Sequence, residues 1–385
     1  MSSGNITRRG KGSWRLKYDL PPDPKTGERR TRYLTVRGTK KEAEAKLAAT
    51  LTEINEGTFV DASRVTFGDF ARRWIETSPA ARVSVKTLEG YSDILRVQLV
   101  PTLGPIRIQD ITYDDIELLY AQLAKTGHRN GGGLAPQTIR HVHALLSQIM
   151  RSALKKRLIH SNPMEVVENV PVVERPAIVV LDEHQLHTLL RSLKGTKLYA
   201  PSLLAASTGM RRGEVLALRW RDIDFADQTL TVTQSLEESR SGLRFKQPKT
   251  QSSRRPIALP DSVVGVLIEH RRTQAEQRIA LGLGRDDNDL VFTTVDGRTR
   301  IPRNFTRDFS KAVKATGLPA ITFHGLRHTH ITHLLKAGVP VKVVSERVGH
   351  ANISITLQTY AHVMLGMQKD AAALIEKSLR AAIED

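Results

Sequence analysis

The stretch that decides how this chain is read is VGHANISITLQTY, residues 348–360, in which His350 precedes Tyr360 by ten positions. Three upstream runs answer it. TGMRRGE (208–214) sets a glycine and paired arginines at a helix start. QPKTQSS (247–253) carries Lys249 in a polar turn between two strand-like runs, and HGLR (324–327) opens an amphipathic helix. Each run is weak evidence alone. Together they supply two arginines, a lysine, two histidines and a tyrosine, the side chains needed to hold a phosphodiester, stabilise its transition state and attack it.

Working outward, the block 177–385 reads as mainly helical with a few strands. Helices are expected at 182–193 and 198–207, and short strands at 229–234, 243–246 and 254–259. Residues 166–176 read as a linker, with Pro171 and Pro176 and no helical period. Upstream of it the pattern is helical throughout. Phe67, Phe70 and Trp74 share one face, while Val85, Leu88, Tyr91 and Leu95 share another before Pro101 and Gly104 stop that helix. A third helix starts near Thr112. After the glycine-rich loop 127–136, a long amphipathic helix through Ile139, Val142, Leu145, Leu146 and Ile149 is expected to break at Asn162-Pro163.

The front of the chain is different again. Residues 1–41 hold 12 Lys/Arg against 3 acids, and two alternating runs, 14–20 and 31–36, flank a turn-rich PPDPKTGE. A hairpin followed by a helix over 39–54 is the expectation, with a basic strand face suited to a DNA groove. A flexible basic tail is the alternative.

Composition narrows the classes. With 58 Lys/Arg against 40 Asp/Glu, the formal charge of the 385 residues is +18 and the pI about 10.2, a balance that points to a polyanionic partner, nucleic acid above all. The absence of cysteine excludes disulfides, thiolate metal sites and a cysteine nucleophile. No apolar run reaches the roughly 20 residues of a membrane span, and the N-terminus has no signal-peptide core, so a cytoplasmic, nucleoid-associated protein of a bacterial host is expected, with no membrane partner. His324, His328, His330 and His333 raise the question of zinc, but the spacing supplies neither a glutamate nor a third ligand on the expected pattern. No metal or cofactor is expected.

The ordered set TGMRRGE, turn lysine, HGLR and VGHANISITLQTY resembles the catalytic core of the tyrosine recombinases, the phage integrase family. TFGDFARRWIE, VPTLGPIRIQDITYDDI and the helix ending in SNP are similar to that family's helical core-binding domain, and the basic front resembles an arm-binding module. The resemblance spans nearly the whole chain and implies a multidomain protein. Its parts would be a small β-hairpin/helix DNA-binding module (1–60), an all-α core-binding bundle (65–165), a linker (166–176) and a mainly helical α+β catalytic domain with a small antiparallel sheet (177–385). It implies a site-specific DNA recombinase that integrates or excises a mobile element, a viral genome for instance, through a 3′-phosphotyrosyl intermediate. The partners implied are double-stranded DNA at core and arm-type attachment sites, a homotetramer clamped on that DNA, and an excisionase or a host DNA-bending protein.

Carried over residue by residue, the resemblance gives Arg211 and Arg327 the non-bridging oxygens of the scissile phosphate and His350 a further hydrogen bond to them. Tyr360 becomes the nucleophile and Lys249 the general acid toward the 5′ oxygen. His324 becomes the general base or its orienter, and Glu214 an orienter of Arg211. Arg212, Arg219 and Arg221 are read as surface or DNA-backbone charges, and Lys246, Arg254 and Arg255 as phosphate contacts or substitutes for Lys249. The C-terminal residues Ala371, Leu374, Ile375 and Leu379 share a helical face that would dock on a neighbouring protomer or on its own domain. Val348 and the run HTHITH depart from the family's usual residues without touching a proposed catalytic atom. A regulator that lost the chemistry, a type IB topoisomerase and a dimer resolvase are the rival readings.

Overall fold

The computed structural model describes residues 4–22, 26–56, 59–61, 63–77, 83–128, 131–173, 178–247, 254–284, 289–364, 372–373, 375–376 and 379. The chain divides into two compact units, Met1–Glu174 and Arg175–Asp385. Among the described residues no helix is long and apolar enough to cross a membrane.

The first unit opens with a three-stranded antiparallel sheet in the order β1 (Gly4–Gly10), β2 (Ser13–Leu20), β3 (Arg30–Arg37). The expected hairpin is β2–β3; β1 is an additional strand. It was hidden because GNITRRG is polar apart from Ile6, the one apolar residue it offers to the inner face. Helix α1 (Lys40–Asn55) is started by a capping box in which Thr39 and Glu42 exchange hydrogen bonds. It packs Ala43, Leu47 and Ile54 on Leu16, Tyr18 and Leu20, which alternate along the inner face of β2.

Helices α2 (Phe67–Thr77), α3 (Val85–Ile94), α4 (Val100–Leu103), α5 (Tyr113–Thr126) and α6 (Pro136–Lys155) follow. Their shared core includes Phe67, Trp74, Leu99, Ile116, Leu145 and Ile149. Two expectations need correcting. Val85 is 38% exposed and Tyr91 only partly buried, whereas Leu95 packs inward as expected and the buried face continues through Leu99 and Leu103; a π-helical turn at Leu95–Leu99 carries the chain past Pro101, and Gly104 caps its end. The long helix ends at Lys155, where Arg157 turns to φ 54°; Asn162 then caps a separate 3-10 turn, Pro163–Glu165.

The second unit contains α7 (Glu183–Leu193), α8 (Tyr199–Thr208) and the short α9 (Arg212–Leu216), then strands β4 (Ile223–Asp224), β5 (Thr229–Val232), β6 (Ser235–Ser239), β7 (Gly242–Lys246) and β8 (Arg255–Ala258). The strands form an antiparallel sheet β4–β5–β8 and a separate hairpin β6–β7. Helices α10 (Asp261–Ala280), α11 (Pro302–Ala315), α12 (Phe323–Lys336), α13 (Val341–Val348) and α14 (Ile353–Met364) complete it. Its main core joins α8, the sheet, α10 and α11 through Leu204, Leu230, Ile257, Leu267 and Phe309, with Phe292 from the segment between α10 and α11. A second cluster of Ile331, Leu335, Val344, Val348 and Tyr360 ties α12, α13 and α14 together. The expected elements of this block are all present within a few residues; β4 and β6 are additions. Ala371 and Leu374, and the turn carrying Lys249, lie outside the described residues, while Ile375 and Leu379 are exposed.

Leu145 is fully buried at the centre of the bundle. Leu145→Ala should lower the unfolding free energy of the first unit by about 2–5 kcal/mol, read as a reduced urea midpoint.

Candidate active site

Arg211 stands immediately before α9, and its backbone N–H donates to Glu214 Oε2 at 2.9 Å. The side chain donates from Nη1 to Glu214 Oε1 at 2.9 Å and from Nη2 to the carbonyl of Gly349 at 2.8 Å. Glu214 is 5% exposed and also accepts from Arg255 Nη2 at 3.0 Å. Burial alone would raise the Glu214 carboxyl, but Arg255 and Arg211 outweigh it and hold the group below its ordinary value. Arg255, 6% exposed, donates its Nε to the carbonyl of Arg347 at 2.7 Å. It reads as a residue that frames the site rather than as a phosphate contact or a substitute for Lys249. Its inward register beside Ile257 in β8 was the available signal.

Arg327 lies on α12, which starts where the Thr322 hydroxyl accepts from Gly325. It is 2% exposed. Its Nη1 donates at 2.7 Å to both Gly209 and Val348 carbonyls, while its Nη2 is buried with no hydrogen-bond partner among the described residues. Gly209 and Gly349 end α8 and α13 in the left-handed region, at φ 66° and 69°, where only glycine sits without strain. A Cβ on Gly349 would come within 2.7 Å of Arg255 Nη1. Burial, then the neighbouring Arg211, draws the Arg327 guanidinium down to about 9, so it remains charged at neutral pH. Three guanidiniums thus face one carboxylate, an excess of positive charge around an unsatisfied donor.

His350 follows directly after Gly349. Its ring Nδ1 lies 2.7 Å from the Thr356 hydroxyl, and burial, followed by Arg327 and Arg211, lowers it to about 4. Tyr360 sits at a kink in α14 (φ −119°, ψ 17°) and is 1% exposed. Burial raises the phenol to about 12. Its hydroxyl is 2.5 Å from Nδ1 of His328, whose own value is lowered by burial and by Arg327. The neutral imidazole therefore accepts from the phenol. His324 is more exposed, contacts His328 edge-on with ring centroids 4.9 Å apart, and is likewise depressed by burial and His328.

The structure thus gathers Arg211, His324, Arg327, His350 and Tyr360, with Glu214 bonded to Arg211; Lys249 lies outside the described residues. The partner of the tyrosine is His328, one residue after Arg327, rather than His324. Spacing alone placed His328 only among possible metal ligands. Of the arginines read as surface charges, Arg219 is bound by Asp222 and Thr233, and Arg212 by Thr306 on α11.

Residues 179–365 match the model of the phage integrase family, and residues 66–123 match that of the phage integrase N-terminal SAM-like domain. A "Tyrosine recombinase XerC-like" protein of Caldanaerobacter subterraneus subsp. tengcongensis is 32% identical over 346 residues, covering 85% of this chain and 86% of the relative. This chain belongs to the phage integrase family. It is a tyrosine-type site-specific recombinase. Among solved structures, the Tn1549 transposon integrase in complex with transposon right end DNA aligns with a TM-score of 0.69 at 23% identity, covering 81% of this chain and 99% of that one. A lambda integrase tetramer bound to a Holliday junction aligns with a TM-score of 0.56 at 19% identity, covering 90% of this chain and 96% of that one.

His330 on α12 gives this recombinase a pH dependence. It is 8% exposed, donates from Nδ1 to the Ala206 carbonyl and accepts at Nε2 from Arg347, which fixes the neutral ring. Burial and Arg347 lower it to about 4, whereas an unfolded histidine titrates near 6.5. The unfolded chain therefore binds more protons between these values, and stability falls as pH drops through that window, by up to about 1.4 kcal/mol per pH unit for such a group. His324 and His350 act in the same direction. The urea midpoint of the second unit should be lower at pH 5 than at pH 7; equal midpoints would contradict the neutral-ring assignment.

Proposed function

We propose that the chain cleaves and rejoins double-stranded DNA at attachment sites of a mobile element through a 3′-phosphotyrosyl intermediate. The observation that carries this reading is the buried Nη2 of Arg327, unpartnered among the described residues, beside Arg211 and Tyr360. A buried cationic donor without a partner is costly, and a phosphate oxygen is the acceptor whose charge and geometry suit it.

In the proposed reaction Arg211 and Arg327 hold the non-bridging oxygens of the scissile phosphate, and His350 adds a donor after exchanging its bond to Thr356. The Tyr360 oxygen attacks phosphorus, forming the P–O bond to tyrosine as the bond to the 5′ oxygen breaks. The phenolic proton passes to His328, with His324 beside it as an orienter or relay, and the departing 5′ oxygen takes a proton from Lys249. The phosphodiester becomes a phosphotyrosyl ester of similar energy, so the reverse attack by a 5′ hydroxyl reseals the strand. The positive surplus of the site becomes most favourable as the phosphorane gathers charge.

Residues 1–60 would bind arm-type DNA, 65–165 and 177–385 would hold the core site, and 166–176 would link them. The solved relatives' complexes, with transposon-end DNA and as a tetramer on a Holliday junction, support DNA as partner and strand exchange by a homotetramer. An excisionase or host DNA-bending protein would set direction.

On a nicked duplex that traps the intermediate, Tyr360→Phe should bind DNA normally and form no covalent adduct; any adduct would refute the nucleophile assignment. His328→Ala should slow adduct formation by roughly 10²-fold or more with DNA affinity retained. An unchanged rate would return the base role to His324. Deleting residues 1–60 should spare cleavage at the core site and impair integration, and integration at full efficiency would exclude an arm-binding role.

A further inference from the structure

The outer face of the N-terminal sheet carries a feature that the arm-binding reading does not by itself explain. On β2, Leu16, Tyr18 and Leu20 point inward to α1, so Arg15 and Lys17 point outward. The register places Thr7 and Thr35 beside Arg15, and Asn5 and Tyr33 beside Lys17. This face is polar and basic. The nearby acid Asp19 is already held by Arg29 and Thr31. Tyr33 is a large aromatic left 54% exposed, and the Arg15 guanidinium lies 4.1 Å from its ring centroid. Tyr33 pairs directly with Lys17, so Arg15 reaches it diagonally across the strands. Among the described residues no carboxylate pairs with Arg15.

An arginine stacked on an aromatic face has lost much of its rotamer freedom before any partner arrives, while its in-plane N–H groups stay available. Three strands about 4.8 Å apart make a sheet roughly 10 Å across, which fits a major groove about 12 Å wide. The central strand then faces the groove floor, where base edges lie, and the outer strands face the phosphates. A planar fork of two donors matches one base edge there, the O6 and N7 acceptors of guanine.

We propose that Arg15, braced on the Tyr33 ring, is a sequence-reading residue of the N-terminal sheet and donates in bidentate fashion to a guanine in the major groove. This inference rests on the arm-binding reading of residues 1–60 and adds to it a division of labour. Arg15 reads sequence, while the flanking basic residues contact phosphate without regard to sequence.

The test is selection of bound duplexes from a randomised DNA library by the full-length chain. The wild type should yield two classes of site, one for each kind of DNA contact. Arg15→Ala should lower the preference for guanine at one position of one class roughly tenfold, leaving the other class and the salt dependence of binding unchanged. Arg15→Lys keeps the charge and the outward position but loses the fork, and should fail to restore that preference. Tyr33→Ala should weaken the same position in part. If two classes appear and the Arg15 variants alter neither, or weaken one evenly at all positions with a shallower salt slope, Arg15 is a phosphate contact or a bystander and the inference fails alone. Should Tyr33→Ala act at a different position, the bracing is wrong. A wild type that selects a single class overturns the arm-binding reading and this inference with it.

Discussion

The second unit depends on one buried guanidinium. Arg327 bonds from a single nitrogen to the carbonyls of Gly209 and Val348, and so pins the ends of α8 and α13 to α12. Both helix ends turn through left-handed glycines, which aim those carbonyls inward rather than along a continuing helix. The other terminal nitrogen has no acceptor among the described residues. A buried guanidinium with one nitrogen on the backbone and the other unpaired among the described residues is suited to an acceptor from outside the chain. Glu214 makes this tolerable. Its carboxylate binds Arg211 and Arg255 together, and through Arg255 and the Arg347 carbonyl it also fixes the turn that presents His350.

The proposed nucleophile is held under the same logic. Tyr360 packs against Ile331, Leu335, Val344 and Val348 with its phenol raised by burial and its hydroxyl on His328. In this state the tyrosine is protonated and shielded from water, so the chain does not carry a free phenolate before its substrate is bound. An anion placed against Arg327 Nη2 would bring both a target for the oxygen and an electrophile poised by two guanidiniums, which couples attack to binding. The kink in α14 at Tyr360 itself marks where the backbone departs from the helix to set the ring's direction.

Much of this was legible in the sequence, because residues that chemistry requires in fixed order leave local patterns. The glycine–arginine start of α9, the HGLR run on α12 and the Gly349–His350 pair with its later tyrosine each sit at a helix end, where glycine and capping residues mark the boundary. What escaped is long-range. Arg255 was read as a phosphate contact or a substitute for Lys249 because its strand register signals burial but not that it faces Glu214, 41 positions earlier. His328 was overlooked as the tyrosine's partner because α12 and α14 meet only in the folded chain. The third strand at the N-terminus was invisible since an edge strand with one apolar residue carries almost no periodic signal. The early end of α6 came from a single left-handed residue, Arg157, which no glycine advertised.

Arg327 Nη2 and Arg211 are the proposed receptors of a DNA phosphate. A crystal structure of the full chain on duplex DNA containing its cleavage site tests this most directly. A phosphate oxygen should lie within hydrogen-bond distance of Arg327 Nη2 and a second oxygen of that group on Arg211, with the Tyr360 oxygen directed at its phosphorus. A bound duplex whose phosphates all lie away from Arg327, with Nη2 still unpartnered or turned to a protein acceptor, would contradict it.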